Sequence, residues 1–169
     1  MTEPSPSLVA DVRRLAGRGI ILCGSGKMGP ELTVMLRRAD VAAGVERDIV
    51  VASTFNSDTV RKRLVKFGVR CLSADLSDRE QIRELPEAPN VIYMIGFKFG
   101  SSAGHRRAIH INCIVPYLVG NRYSESAIVV FSSTNLYTAV PYGAAAVVGS
   151  REQDSFKPHG IYRLVDRRT

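Results

Sequence analysis

A glycine-rich string, Gly24-Ser25-Gly26-Lys27-Met28-Gly29, is the part of this sequence whose residue types and spacing point most directly to chemistry. It has the pattern GxGxxG and lies between an apolar run and a stretch with helical spacing. In that place the three glycines have different roles, since Gly24 makes the tight turn, Gly26 lets a pyrophosphate approach the backbone, and Gly29 packs the helix against a sheet. The helix N-terminus offers free N–H groups and a positive dipole end to the pyrophosphate. The string therefore predicts a dinucleotide site for NAD or NADP; a glycine-rich turn without a ligand is the alternative.

The second predicted strand ends without the acidic residue that usually binds the adenosine ribose of NAD. The residues at that place are Val51-Ala52-Ser53-Thr54. A missing carboxylate removes the repulsion that would exclude a 2′-phosphate, and Ser53 and Thr54 can hydrogen-bond either form of the ribose. Arg61 or Lys62 in the next helix can reach a phosphate, or the two form a solvated helix face. The sequence leaves the choice between NAD and NADP open.

These residues are positioned by an alternation of short apolar runs and helical patterns. Strands are predicted at 19–24, 48–53, 69–74, 90–96 and 127–133, with helices near 28–39, 60–67, 77–85 and 103–123. The first of these helices has its predicted apolar face at Met28, Leu32, Met35, Leu36 and Ala39. Such alternation specifies right-handed crossovers and a parallel sheet covered on both faces. The predicted fold class is α/β, a doubly wound parallel sheet of about five strands. A single domain over 1–169 has its core at about 18–133 and an irregular segment at 134–169.

The composition excludes several classes of protein. Of 169 residues 45% are hydrophobic and the net charge is a moderate +7, so disorder is not expected as the main state. No run approaches the roughly 20 apolar residues that cross a bilayer, and no basic leader precedes an apolar stretch. The basic residues occur in short groups without interleaved aromatic residues. We therefore expect no membrane and no nucleic acid as partners, and a cleft for a small anionic ligand or a solvated surface accounts for the charge.

The cysteines indicate the compartment. Cys23, Cys71 and Cys113 are odd in number and have apolar neighbours, as reduced core residues of a cytoplasmic protein do. Neither the cysteines nor the three histidines have the spacing of metal ligands. No metal site is predicted.

Taken together, the residues from about Gly19 to Tyr162 resemble the extended short-chain dehydrogenases/reductases, the NAD-dependent epimerase/dehydratase group. Asp75-Leu76 after the third strand is similar to the acidic-aliphatic pair that contacts adenine in that family, with an ordinary helix-capping loop as the alternative. Gly96 is at the place of the small-residue turn beside the cofactor. Asn112 resembles the asparagine that supports the active-site backbone and a proton path. The resemblance implies a Rossmann fold, NAD or NADP as cofactor, and a homodimer formed through the helix after strand four.

The resemblance also implies catalytic hydroxyl groups. FSSTNLY at the fifth strand's end is similar to the family string with a Ser or Thr four residues before a Tyr, which indicates Ser133, with Tyr137 beyond it. A polar strand end with local capping is the alternative. Glu152, Pro158 and Tyr162 match the family spacing that leads to the catalytic Tyr. In the family this Tyr is the general acid/base, and a Lys four residues later lowers its pKa.

The match to the family breaks at Asp166, which stands where the family has that Lys. A carboxylate raises the pKa of a nearby phenol, so the proton-transfer role of Tyr162 is in question. Family members are about twice as long, so the chain is expected to be the cofactor half, cut before the substrate domain. The predicted function is an NAD(P)-dependent epimerase/dehydratase-like oxidoreductase with a nucleotide-sugar-like small-molecule substrate. The alternative is a non-catalytic NAD(P)-binding sensor or regulatory module.

Overall fold

The computed structural model describes residues 2–97 and 104–132 and the single residue 153, and the fold is given for that part of the chain. Five strands form one parallel sheet: β1 (Gly19–Leu22), β2 (Ile49–Ser53), β3 (Arg70–Ser73), β4 (Asn90–Tyr93) and β5 (Ala127–Val130). Their order in the sheet is β3-β2-β1-β4-β5, with Ile20 of β1 opposite Val50 of β2 and Val91 of β4. The predicted doubly wound α/β fold is confirmed. Its strand order reverses beside β1, and the crevice at the carboxyl ends of the strands there is where such sheets bind ligands.

Helices cover both faces of this sheet. They are α1 (Pro6–Val12), α2 (Gly29–Ala43), α3 (Asp58–Lys66), α4 (Arg79–Arg83), α5 (Gly104–Ile109) and α6 (Val115–Arg122). Val34 of α2 and Leu64 of α3 pack in one buried apolar cluster, and Ile82 of α4 and Val119 of α6 pack in a second. Within the described residues, no helix combines the length and the apolar character needed to cross a membrane.

The predicted helix at 103–123 is not uniform. A π-helical segment, His110–Ile114, lies between α5 and α6. Pro116 follows at the start of α6, and because proline has no N–H and its ring clashes with the carbonyl four residues earlier, the regular α-helical hydrogen bonding cannot continue there. The wider π turn takes up this mismatch. Asn112 lies inside this segment.

The buried face of α2 differs from the predicted one. Met28 is 55% exposed, whereas Thr33 and Asp40 are fully buried. The Thr33 hydroxyl donates to the Gly29 carbonyl (2.7 Å), and the Arg47 Nε–H group donates to both carboxylate oxygens of Asp40 (3.1 Å each). These partners offset part of the cost of burying polar groups, so hydrophobic spacing alone could not predict this face.

Candidate functional site

The glycine loop, residues 24–29, joins β1 to α2, and its three glycines meet different surroundings. A Cβ atom on Gly24 would lie 2.8 Å from Cγ1 of Val51, and one on Gly29 would lie 2.5 Å from the carbonyl carbon of Gly24. Close packing therefore requires these two glycines. A Cβ atom on Gly26 would meet only the carbonyl oxygen of Cys23, at 3.4 Å, which is an ordinary contact. Because no internal contact requires glycine at position 26, the missing side chain there leaves room on the outer surface of the loop.

Cys23 makes the sharp turn that enters the loop. Its φ of 63° is in the left-handed region, which few residues other than glycine adopt. Its N–H donates to the Ala52 carbonyl (2.8 Å), and its carbonyl accepts from the Gly26 N–H (3.2 Å). The sequence assigned this turn to Gly24, and the structure shows instead that Gly24 supplies room between the strands and α2. Burial raises the pKa of the Cys23 thiol, which keeps it protonated at neutral pH.

The N-terminus of α2 has no side-chain cap. Met28 at the cap position makes no capping hydrogen bond, whereas Ser5 and Asp78 cap α1 and α4. Among the described residues, no acceptor binds the backbone N–H groups of Ser25, Lys27 or Met28. The Lys27 side chain is exposed. Free N–H groups, the helix dipole and a lysine therefore meet at one open surface, and this combination binds phosphate groups.

A cleft of about 170 Å³ lies at the carboxyl ends of the strands. Five residues that the sequence predicted for the cofactor line it: Ser53, Thr54, Asp75, Leu76 and Gly96. The other lining residues are Cys23, Ala74, Ser77, Ile95, Phe97, Arg107 and Ile111. The structure thus brings together the ends of β2, β3 and β4, which are far apart in the sequence.

The two hydroxyl residues after β2 have different surroundings. Ser53 is 3% exposed, and its Oγ lies 2.5 Å from the Oγ of Ser25. This hydrogen bond ties the glycine loop to the end of β2, so the Ser53 hydroxyl already has a protein partner. Thr54 is exposed at the rim of the cleft. Of these two residues, Thr54 presents the more accessible hydroxyl to a ligand.

Asp75 forms the acidic wall of the cleft. The hydroxyl and the N–H of Ser77 donate to its Oδ1 at 2.7 and 2.9 Å, and its own N–H donates to Oε1 of Gln81 (2.8 Å). The Ser77 donors, with a smaller contribution from the charge of Arg107, hold the pKa of Asp75 below its usual value. Asp75 is therefore a carboxylate at neutral pH. Leu76 beside it is 6% exposed and gives the cleft an apolar floor.

Asn112 reaches from the π-helical segment to the chain that leaves β4. The N–H of Phe97 donates to Asn112 Oδ1 (2.8 Å), and Asn112 Nδ2 donates to the Phe97 carbonyl (3.0 Å). This pair of bonds fixes the backbone next to Gly96, on the rim of the cleft. The Arg107 guanidinium lies over the Phe97 ring, with its Cζ atom 5.8 Å from the ring centroid.

Arg107 and Phe97 are site residues that the sequence did not reveal. One signal was present, because Arg107 precedes the apolar Ile111 by four residues in the predicted helix at 103–123, and residues with this spacing share a helix face. For Phe97 there was none, since its place depends on the contact with Asn112. Ser133 and Tyr162, the predicted catalytic hydroxyl residues, lie outside the described residues, as do Tyr137, Glu152, Pro158 and Asp166.

Groups of metal-binding side chains and the state of the cysteines can be given for the described residues. Within residues 2–97 and 104–132, no three His, Cys, Asp or Glu side chains are grouped to hold a metal ion. Cys23, Cys71 and Cys113 are free, but each is partly exposed, so they are less deeply buried than core residues.

Solved structures with the same fold include an epimerase and two proteins solved with NAD or NADPH bound. ADP-L-glycero-D-manno-heptose-6-epimerase from Helicobacter pylori matches with a TM-score of 0.66 and 18% identity over 88% of this chain and 47% of that one. A short-chain dehydrogenase/reductase superfamily protein from Agrobacterium tumefaciens, solved with bound NAD, matches with a TM-score of 0.61 and 15% identity over 88% and 41%. BdcA in complex with NADPH matches with a TM-score of 0.56 and 18% identity over 71% and 53%.

These matches bear on the fold. The chain spans about half the length of each of the three solved proteins. No family model matches the sequence, and no curated protein matches it. At identities this low the likeness shows architecture, and it confirms the sequence resemblance at that level. The chain has the Rossmann fold of the short-chain dehydrogenase/reductase and epimerase structures.

Proposed function

We propose that this chain binds NAD(P) at the carboxyl ends of β1–β4, as the cofactor-binding part of an epimerase/dehydratase-like oxidoreductase of the extended short-chain dehydrogenase/reductase group. The observation that carries the proposal is the glycine loop. No internal contact requires glycine at Gly26, the second glycine of the loop, and the uncapped N-terminus of α2 behind it offers free N–H groups. A dinucleotide explains both features, because its pyrophosphate needs close backbone approach and hydrogen-bond donors.

The site divides into two parts that fit the two ends of such a ligand. The glycine loop suits the pyrophosphate, with Lys27 beside it. The cleft suits the adenosine, with Leu76 as an apolar contact for the base and Asp75 as an acceptor for its amino group. When bound, the cofactor supplies a nicotinamide ring that accepts or donates a hydride.

The charges near the loop are compatible with a bound pyrophosphate. Glu31 in the first turn of α2 is the nearest acidic residue along the chain. Arg63 of α3 holds it in a two-bond pair, with N–O distances of 2.5 and 2.9 Å. The guanidinium compensates the carboxylate charge, and the pair joins α2 to α3. The helix N-terminus therefore keeps its positive potential.

The catalytic part of the proposal rests on the family resemblance. Ser133 would hydrogen-bond a substrate carbonyl or alcohol, Tyr162 would exchange the proton, and Asn112 would support the site through its hold on Phe97. A nucleotide-sugar-like substrate is supported by one structural neighbour, which is an epimerase of an ADP-linked sugar. A homodimer and a cytoplasmic location belong to the same proposal.

The test is a fluorescence titration of the purified chain with NADH and NADPH. We expect saturable binding of at least one of them. Gly26→Asp should abolish this binding, because it adds a carboxylate where the pyrophosphate approaches. Gly120→Asp in α6 is the matched control, since a Cβ atom there meets nothing within 4 Å and α6 lies away from the loop. Absence of binding of both nucleotides at millimolar concentrations would refute the proposal.

A non-catalytic NAD(P)-binding sensor or regulatory module is the second candidate, and Asp166 favours it. That residue stands where the family has the Lys that activates the Tyr. Incubation with the cofactor and a set of nucleotide sugars, followed by nicotinamide absorbance and product chromatography, separates the two candidates. Cofactor binding without any product supports the module.

A further inference from the structure

The chain turns sharply directly after the cleft residue Thr54. Phe55 has a φ of 48°, in the left-handed region where a bulky aromatic residue is a genuine outlier. Its ring packs against the buried cluster that contains Val34 and Leu64. The Cζ atom of Arg61 lies 5.8 Å from the ring centroid. The strained turn therefore presents an aromatic platform to this guanidinium one residue from the cleft rim, and strain of this kind is concentrated at functional sites.

Arg61 is the first of three consecutive cationic residues, and it differs from the other two in its ion-pair partners. Lys62 Nζ lies 2.6 Å from the Asp58 carboxylate, and Arg63 is held by Glu31. Arg61 forms no salt bridge within the described part of the chain, and its side chain is exposed. Successive helical residues point about 100° apart, so the three side chains cannot serve the same neighbour. Arg61 thus keeps an uncompensated charge next to the end of β2.

The acidic side chains near this edge have partners other than Arg61. Asp58, the first acid after β2, is paired with Lys62, and Oδ1 of Asp75 accepts two bonds from Ser77. The Ser53 hydroxyl is bonded to Ser25. A carboxylate that would bind the ribose hydroxyls and repel a phosphate is missing at the β2 end.

We propose that Arg61 binds the 2′-phosphate of NADP(H) and that the chain prefers NADP(H) to NAD(H). The inference rests on the proposed function, because it concerns the adenosine ribose of the same ligand. A phosphate monoester carries about −1.5 to −2 charges at pH 7. A guanidinium binds it with two parallel N–H donors, and stacking on the Phe55 ring leaves those edge donors free. Lys62 and Arg63 each have a carboxylate partner, so Arg61 is the cation of the three whose charge is free for this role.

The experiment compares equilibrium binding of NADPH and NADH to the full chain by nicotinamide fluorescence. We expect NADPH to bind at least about tenfold more tightly, the range of a charged hydrogen-bonded contact. Arg61→Ala should weaken NADPH to the level of NADH and leave NADH unchanged. Arg61→Lys should fall between the two, because a lysine keeps the charge and loses the planar pair of donors.

Lys62→Ala is the matched control. It removes the same charge from the adjacent position and should leave both affinities within about twofold, since Lys62 is already paired with Asp58. Adenosine 2′,5′-bisphosphate should displace NADPH more strongly from the wild type than from Arg61→Ala, and adenosine 5′-monophosphate should show no such difference. Circular dichroism melts check that both variants fold.

Each outcome has a distinct meaning. If neither nucleotide binds the wild type, the proposed function fails and this inference fails with it. If NADH and NADPH bind equally, or if Arg61→Ala weakens both to the same extent, only the assignment of Arg61 and the NADP(H) preference is overturned. A loss in Lys62→Ala as large as that in Arg61→Ala also overturns the assignment.

Discussion

Alanine substitutions at Gly26 and at Gly29, the second and third glycines of the loop, should differ in their effect on stability. A Cβ atom on Gly29 would overlap the Gly24 carbonyl group, at 2.5 Å from its carbon and 2.6 Å from its Cα. Carbon atoms in good contact are about 3.5 to 4.0 Å apart, so α2 would have to withdraw by about 1 Å. Both atoms belong to the backbone and no side chain can rotate away. Overpacking of this kind costs about 1–3 kcal/mol, and we expect Gly29→Ala at the upper end, about 3 kcal/mol.

Gly26→Ala lacks this clash. The φ of Gly26 is outside the left-handed region, and its Cβ would be 3.4 Å from the Cys23 carbonyl oxygen. Alanine also restricts the unfolded chain, which stabilises by about 0.4–1 kcal/mol when the native backbone accepts it. We expect the free energy of unfolding of Gly26→Ala to equal or slightly exceed that of the wild type. Its affinity for NADPH should nevertheless fall at least about tenfold, because the new methyl group keeps the pyrophosphate from the loop.

Urea denaturation followed by circular dichroism measures the first effect, and fluorescence titration with NADPH measures the second. For a domain of this size, about 3 kcal/mol corresponds to a fall in Tm of roughly 6–12 °C. Wild-type stability of Gly29→Ala would refute the packing argument. Equal loss of stability in both variants would refute the distinction between a packing glycine and a ligand glycine.

Three further predictions concern other parts of the molecule. Arg47→Ala should destabilise the fold by about 3–5 kcal/mol in urea denaturation, because it leaves the buried Asp40 carboxylate and three carbonyl groups without their donor; a loss below about 1 kcal/mol would contradict this. Asn112→Ala should lower the free energy of unfolding by about 2 kcal/mol, because the N–H and the carbonyl of Phe97 both lose their hydrogen bonds to Asn112. It should also abolish hydrogen-exchange protection of the Phe97 amide; retained protection would show that these two bonds are dispensable. Asp75 has a pKa lowered in the folded state, so its contribution to stability is present above the unfolded pKa of about 3.9 and is lost as the pH falls through the folded value. An NMR titration should find its midpoint below that of an unfolded aspartate, and Ser77→Ala should raise it; an unchanged midpoint in Ser77→Ala would contradict the assignment.

The alternation of short strands and helices was predictable because each element has a local periodicity. Each predicted strand in the described part is present, and the glycine spacing indicated the turn that leads into α2. The buried face of α2 was not predictable, since Thr33 is buried by a bond to its own helix and Asp40 by a partner beyond the helix end. The interruption before Pro116 had a signal in the sequence, but whether it becomes a kink or a π-helical segment depends on packing.

The sequence by itself determined the doubly wound sheet and the location of the glycine loop, because hydrophobic periodicity and glycine spacing act over a few residues. It also indicated Ser53 and Thr54 by their place at the end of β2, and the family resemblance added Asp75, Leu76 and Gly96. These residues lie at or after strand ends, which meet at one edge of a parallel sheet. Only the tertiary structure distinguished the engaged hydroxyl of Ser53 from the accessible one of Thr54. It alone separated Arg61 from Lys62 and Arg63, because the charge available to a ligand depends on which neighbouring carboxylates the fold brings near.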